Sequence, residues 1–184
     1  ERFRHYGSDV VQVPVQSIAI SPAGAQTVFQ GLTLQLAATV KDGNNNILTG
    51  RTISWTTSNP AIATVSSTGV VTGAALGNAQ ITVECEGVTS SVSVTVLPRP
   101  VASVGLSPNP GTVKMGSQLQ LTLDLKDSDG NQLTTTGRSV VWDSSNKPVA
   151  TVQDGVVTGI TPGNATITVT VDGKPASVVV TVTP

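Results

Sequence analysis

The chain has 184 residues, a formal net charge of −1 and a pI near 5.7, enough for one medium domain or two small ones. Charged residues make up only 11% and aromatics 3%, with one Cys and one His. This composition argues against a basic face for nucleic acid, an intramolecular disulfide, a Cys/His zinc cage and, with His5 near the N-terminus, a Ser-His-Asp site.

Residues 1–14 read as an N-terminal arm. Within it, Arg2-Phe3-Arg4-His5-Tyr6 gathers two of the five aromatics, and Phe3, Arg4 and Tyr6 are the candidates for docking on a neighbouring subunit; the plainer reading is a frayed terminus. Glu1-Arg2-Phe3-Arg4 opens no signal peptide, and no apolar run reaches the roughly 18 residues of a membrane helix, so no membrane insertion is expected. Val10-Val11-Gln12-Val13, ahead of Pro14, reads as the last strand of a preceding unit, which would make the chain two consecutive beads of a longer string.

Ser17–Ser21 is the first strand expected after the arm. From 32 to 40 the residues alternate, with Leu32, Leu34, Leu36, Ala38 and Val40 on one face and Thr33, Gln35, Ala37 and Thr39 on the other. Such period-2 alternation predicts a half-buried β-strand, since a helix would space its apolar residues three and four apart. Asp42-Gly43 marks a tight turn. Trp55 lies in the next expected strand, Thr52–Thr57, just before the polar turn Ser58-Asn59-Pro60. It could stack a sugar, but with so few aromatics the expected role is to seal two sheets. Strands at Gly69–Thr72, Ala79–Cys85 and Val88–Val96 follow, rich in the Val, Ile and Thr that a pleated surface favours. Glu84 and Glu86, two apart, are expected to project from one solvated strand face rather than act as an acid–base pair, with Cys85 turned inward as a small apolar residue.

The pattern then repeats. Gly69-Val70-Val71-Thr72-Gly73 returns as Gly155-Val156-Val157-Thr158-Gly159, Trp55 as Trp142, and Leu34-Gln35-Leu36 as Leu119-Gln120-Leu121, at offsets between 85 and 87 residues. Two units are therefore expected, at 15–98 and 99–184, joined by a stiff Pro98-Arg99-Pro100. Seven or so short strands per unit, separated by turns such as Asp129-Gly130, Asp154-Gly155 and Asp172-Gly173, predict an all-β chain of two tandem antiparallel β-sandwiches.

The ordered series Val15-x-Ser17-Ile18-x-Ile20-Ser21-Pro22, Ile53-Ser54-Trp55, Ser58-Asn59-Pro60-Ala61-Ile62-Ala63-Thr64-Val65, Gly69 to Gly73, Gly77-x-Ala79-x-Ile81-Thr82-Val83 and Val92-x-Val94-Thr95-Val96 resembles the group 2 bacterial immunoglobulin-like domain. The second copy carries the same series around Trp142. The resemblance covers about 170 residues and implies an immunoglobulin-like or invasin/intimin-like sandwich, with no catalytic motif attached.

One further cluster bears on chemistry. Asp127, Asp129 and Asn131 place oxygen ligands at alternate positions, as a calcium loop does, but lack the later bidentate Glu; a polar hairpin turn is the expected role, with no cofactor. The resulting functional expectation is a non-enzymatic tandem module, serving as spacer and adhesive surface of an extracellular bacterial protein. Its partners would be surface carbohydrate or a host or neighbouring protein, met through weak multivalent contacts. The alternative is a surface decoration of a tailed-phage virion.

Overall fold

The alternating residues fold into strands throughout the computed structural model, which describes residues 12–184; no helix occurs among them. The chain divides into two compact units between Leu97 and Pro98. The first contains β1 (Ser17–Ser21), β2 (Gln26–Phe29), β3 (Thr33–Gln35), β4 (Ala37–Lys41), β5 (Ser54–Thr57), β6 (Ala63–Val65), β7 (Val70–Gly73), β8 (Gly77–Cys85) and β9 (Val88–Leu97). One layer is the four-stranded sheet β2-β9-β8-β5; facing it lie the three-stranded β3-β7-β6 and the pair β1-β4.

The second unit repeats this plan. Its strands are β10 (Ser103–Ser107), β11 (Gly111–Lys114), β12 (Gln118–Gln120), β13 (Thr122–Lys126), β14 (Gln132–Leu133), β15 (Val140–Ser144), β16 (Ala150–Gln153), β17 (Val156–Gly159), β18 (Gly163–Val171) and β19 (Lys174–Thr183). They form sheets β11-β19-β18-β15, β12-β17-β16 and β10-β13-β14. The short β14 has only a single bridge, Lys41 to Ile47, as its counterpart in the first unit.

The core follows the alternation. In β8, Ala79, Ile81, Val83 and Cys85 are buried, while Asn78, Gln80 and Glu84 face solvent; β18 buries Ala165, Ile167, Val169 and Val171 in the same rhythm. Each buried Val or Ile contributes about 1.5–3 kcal/mol relative to an exposed one, and these aliphatic residues carry most of the apolar burial.

Two expectations are corrected. The run 32–40 is not one strand: it divides at Leu36, because β3 pairs with β7 and β4 pairs with β1. The second copy divides the same way at Leu121. Leu36 and Leu121 point into the cores and are almost wholly buried, but Leu32 precedes the strand and is 42% exposed. Glu86 is likewise not on a strand. It has φ 51° and Gly87 φ 84°, so the two form a tight turn between β8 and β9 of the kind that needs positive φ at both positions. The sequence also gave no signal for β2, whose one buried residue is Val28; it runs parallel to β9.

Trp55 stands where the sheets meet. It packs, half-buried, against both apolar clusters of the first unit, one around Ile81 and Val94, the other around Val40 and Val83. Trp142 does the same in the second unit. A glycine lies against each ring. Gly69 has φ +81°, and a Cβ there would sit 2.4 Å from the Leu36 carbonyl oxygen and 3.3 Å from Trp55 Cε2. Gly24 has a similar φ, +77°, but open space around it. Gly24→Ala should therefore cost only the left-handed conformational penalty, about 1–2 kcal/mol. Gly69→Ala should destabilise the first unit by at least about 2 kcal/mol more, on the scale of core disruption. Equilibrium denaturant unfolding of the two variants provides the comparison.

Candidate functional site

The buried charged side chains, Arg51, Arg138, Asp42 and Asp127, lie at the end where the chain comes into each sandwich. Arg51 and Arg138 follow Gly50 and Gly137, at φ +71° and +72°, in the connections that lead to β5 and β15. In the second unit the Arg138 guanidinium, 3% exposed, donates to three acceptors. Nε binds the Thr134 carbonyl at 2.8 Å, one terminal nitrogen binds Asp172 at 2.8 Å, and the other binds the Arg99 carbonyl at 2.6 Å. Asp172 opens the turn between β18 and β19, and its second oxygen accepts the Ser139 N–H at 3.0 Å. Arg138 thus ties the incoming segment to that hairpin turn. Its planar fork reaches all three acceptors at once, which a single ammonium could not do.

Arg51 repeats the arrangement in the first unit. It donates to the Val13 carbonyl, to the Gln12 side chain at 3.0 Å and to Glu86. Val13 and Arg99 are equivalent residues of the two copies, as are the turn acids Glu86 and Asp172. Glu86, expected on a solvated strand face, is therefore a partner of Arg51.

The aspartate turns lie at the same end. Asp127 follows β13 and is buried; its carboxylate accepts the backbone N–H groups of Asp129 at 3.0 Å and Asn131 at 2.8 Å, the Asn131 amide at 3.0 and 3.2 Å, and the Arg99 guanidinium at 3.0 Å. Asp42 accepts the N–H groups of Asn44 and Asn46 and the Asn46 amide at 2.8–3.0 Å. The Asn131 amide, helped by Arg99 and the backbone donors, holds the Asp127 carboxyl down at about 2 against the opposing effect of burial. The Asn46 donors likewise hold Asp42 below its ordinary value, and Arg138 does so for Asp172.

Of the sequence-predicted residues, Asp127 and Asn131 are hydrogen-bonded to each other, whereas Asp129 contributes its backbone N–H and its residue is exposed. The turn thus occupies the Asp127 oxygens with N–H donors from Asp129, Asn131 and Arg99. Phe3, Arg4 and Tyr6 lie outside the described residues. Arg51 and Arg138 were missed by sequence reasoning. Their signal is the Gly-Arg pair repeated at 50–51 and 137–138, an offset of 87 within a chain that repeats at 85 to 87.

Two β-sandwiches of one plan, antiparallel but for one parallel pair in each and each with its incoming segment held by a buried arginine, define a pair of tandem immunoglobulin-like modules. The chain belongs to the family of bacterial Ig-like domains (group 2), whose profile matches residues 14–96 and 100–182. It is 32% identical over 165 residues to Ice-binding protein 1 of Shewanella frigidimarina (strain NCIMB 400), a match that takes in 88% of this chain and 18% of that protein. The chain thus spans less than a fifth of the length of this curated relative. Among solved structures, invasin, a bacterial integrin-binding protein, is similar with a TM-score of 0.50 and 25% identity, over 91% of this chain and 39% of that one. Domains 4 and 5 of the S-layer protein SbsC match with a TM-score of 0.46 and 25% identity, over 92% of this chain and 99% of that one.

The aspartate turn has a pH signature. Asp127 titrates at about 2 in the folded unit and near 3.9 in an unfolded chain. Its contribution to stability is complete above pH ~5, declines below ~4 and is lost as pH falls through ~2. In a Trp55→Phe background, so that Trp142 reports the second unit, Asp127→Asn should lower the melting temperature at neutral pH and flatten its decline between pH 4 and 2. Millimolar calcium should leave the melting temperature of the unsubstituted chain unchanged, because the Asp127 oxygens already have donors.

Proposed function

We propose that the chain is a non-catalytic spacer and adhesive surface of an extracellular bacterial protein. The observation that carries this reading is where the chain enters and leaves each unit. Arg138 holds the Arg99 carbonyl beside Asp172, two residues before β19 begins at Lys174, and the chain leaves at the far end of that strand, after Thr183. Nine steps of about 3.3 Å separate the two points by about 30 Å. In the first unit Val13 is held beside Glu86, and β9 carries the chain from Val88 to Leu97. A module whose chain enters at one end and leaves at the other adds its length to whatever it joins.

The outer faces support an adhesive contribution. On the four-stranded sheet of the first unit, Gln80 donates to Ser91 at 2.7 Å and Thr95 to Asn78 at 2.7 Å. The corresponding face of the second unit pairs Asn164 with Thr181 and Thr168 with Ser177. Such hydroxyl and amide rows suit weak contacts with carbohydrate or protein, whose strength comes from repetition. The likeness to invasin, a bacterial integrin-binding protein, and to an ice-binding protein agrees with a place outside the cell.

Replacement separates spacing from adhesion. With the chain set between a surface anchor and a ligand-binding head, deleting residues 100–182 should reduce capture of ligand held at a distance. An unrelated sandwich of equal length should restore capture if length is what matters. Failure of that replacement, together with binding of the isolated chain to a glycan array, would assign the role to the surface instead.

A further inference from the structure

In each unit the second strand and the last are neighbours, and their direction has a mechanical consequence. In the second unit β11 runs parallel to β19, with Gly111, Thr112, Val113 and Lys114 opposite Val180, Thr181, Val182 and Thr183. The Met115 N–H adds a bond to the Thr183 carbonyl at 2.8 Å. The first unit has the same ladder, Gln26 to Phe29 opposite Val94 to Leu97, extended by the Gln30 N–H to the Leu97 carbonyl at 2.9 Å. A pull on the incoming segment reaches β11 through β10, itself paired with β13, and draws β11 backwards along its axis, whereas a pull on the outgoing chain draws β19 forwards. Parallel neighbours drawn in opposite senses must slide past each other. Their hydrogen bonds are then strained together rather than opened one after another from an end.

Two further features reinforce this geometry. Val113 and Val182 are buried beneath the ladder, so sliding also breaks core packing, and close-packed interiors resist such displacement. Upstream, Arg138 fastens the Arg99 carbonyl to the turn at the start of β19.

We propose that each unit resists tension applied along the chain, with the parallel pairs β2–β9 and β11–β19 as the elements that must shear before it unfolds. The purpose of that resistance rests on the spacer reading; its physics does not. A spacer between a surface and a ligand is stretched whenever either moves.

Met115 allows a clean test. Its side chain is exposed, and it occupies the second position of the turn Lys114–Ser117, which is closed by the Ser117 N–H to the Lys114 carbonyl at 3.0 Å, with Gly116 at φ +78°. That geometry favours proline at the Met115 position. Met115→Pro therefore suits the turn and removes one ladder donor. With the full chain pulled from its two termini in a single-molecule force experiment, two unfolding events of similar force are expected. In Met115→Pro one of the two should weaken, its unfolding rate at fixed load rising about fivefold, the factor that corresponds to about 1 kcal/mol. Its melting temperature should change little, because proline also restricts the unfolded chain.

Pulling the unsubstituted second unit between residues 98 and 173 leaves β11–β19 unsheared and should give a clearly lower force. Equal forces in the two pulling directions, or no change in the folded Met115→Pro chain, would overturn the proposal. Neither result touches the spacer reading, which the replacement of residues 100–182 tests separately.

Discussion

Leu36 N–H donates to the Gly69 carbonyl at 2.9 Å and ends the β3–β7 ladder, and the next residue, Ala37, already pairs with Ser21 of β1. Leu121 and Gly155 make the same bond at 2.8 Å in the second unit, ahead of the pairing of Thr122 with Ser107. Each sandwich depends on this crossing, because one short run of chain must serve two sheets. The crossing needs a large apolar side chain pointing inward and a backbone close enough to touch it. Leucine meets the first need. Glycine meets the second, since a Cβ at Gly69 or Gly155 would press on a leucine carbonyl and on a tryptophan ring together. Tryptophan completes the junction by packing against both clusters. One aromatic per core is thus enough when it stands where the sheets divide.

The same economy governs charge. All three arginines among the described residues, Arg51, Arg99 and Arg138, act where the chain comes into a sandwich. Two of them are held largely away from water, a position that is tolerable only when every donor has an acceptor. Among the described residues no buried side-chain nitrogen or oxygen lacks a hydrogen-bond partner. Buried charge here retains chain, while the pairs Lys126–Asp124 and Lys147–Asp143 stay exposed at the surface.

What the sequence made legible follows from what each feature depends on. Strand alternation is local, so β1, β8 and β9 could be read within two residues of their ends. The two-unit plan was legible because matched segments recur at nearly constant spacing, the small changes in offset falling in the connections between strands. Partner choice is not local, and nothing in Leu32 to Val40 announces that the run pairs with β7 and then with β1. The parallel strand β2 presents a single inward residue, Val28, too little for alternation to register. Glu86 was misplaced because the alternation of β8 extends one residue too far on paper. Only the following Gly87 betrays the turn, and its counterpart Asp172-Gly173 shows the same signal more openly. Arg51 and Arg138 stayed hidden because half of their acceptors are backbone carbonyls, which every residue possesses, and the rest lie far off in sequence.

The junction and the arginine hold have complementary tasks, and the layout of each unit follows from the pair. The Leu-Gly-Trp junction fixes how the two layers meet, and so where β9 and β19 lie. The arginine fixes where the chain comes in relative to the start of that last strand. With both points set, the length of one strand determines the distance the chain advances through a unit. Lengthening the loops, as the offsets of 85 to 87 show the two copies already do, leaves that distance untouched. A module built this way can vary its loops and outer faces without altering its reach, because neither belongs to the constraints that set it.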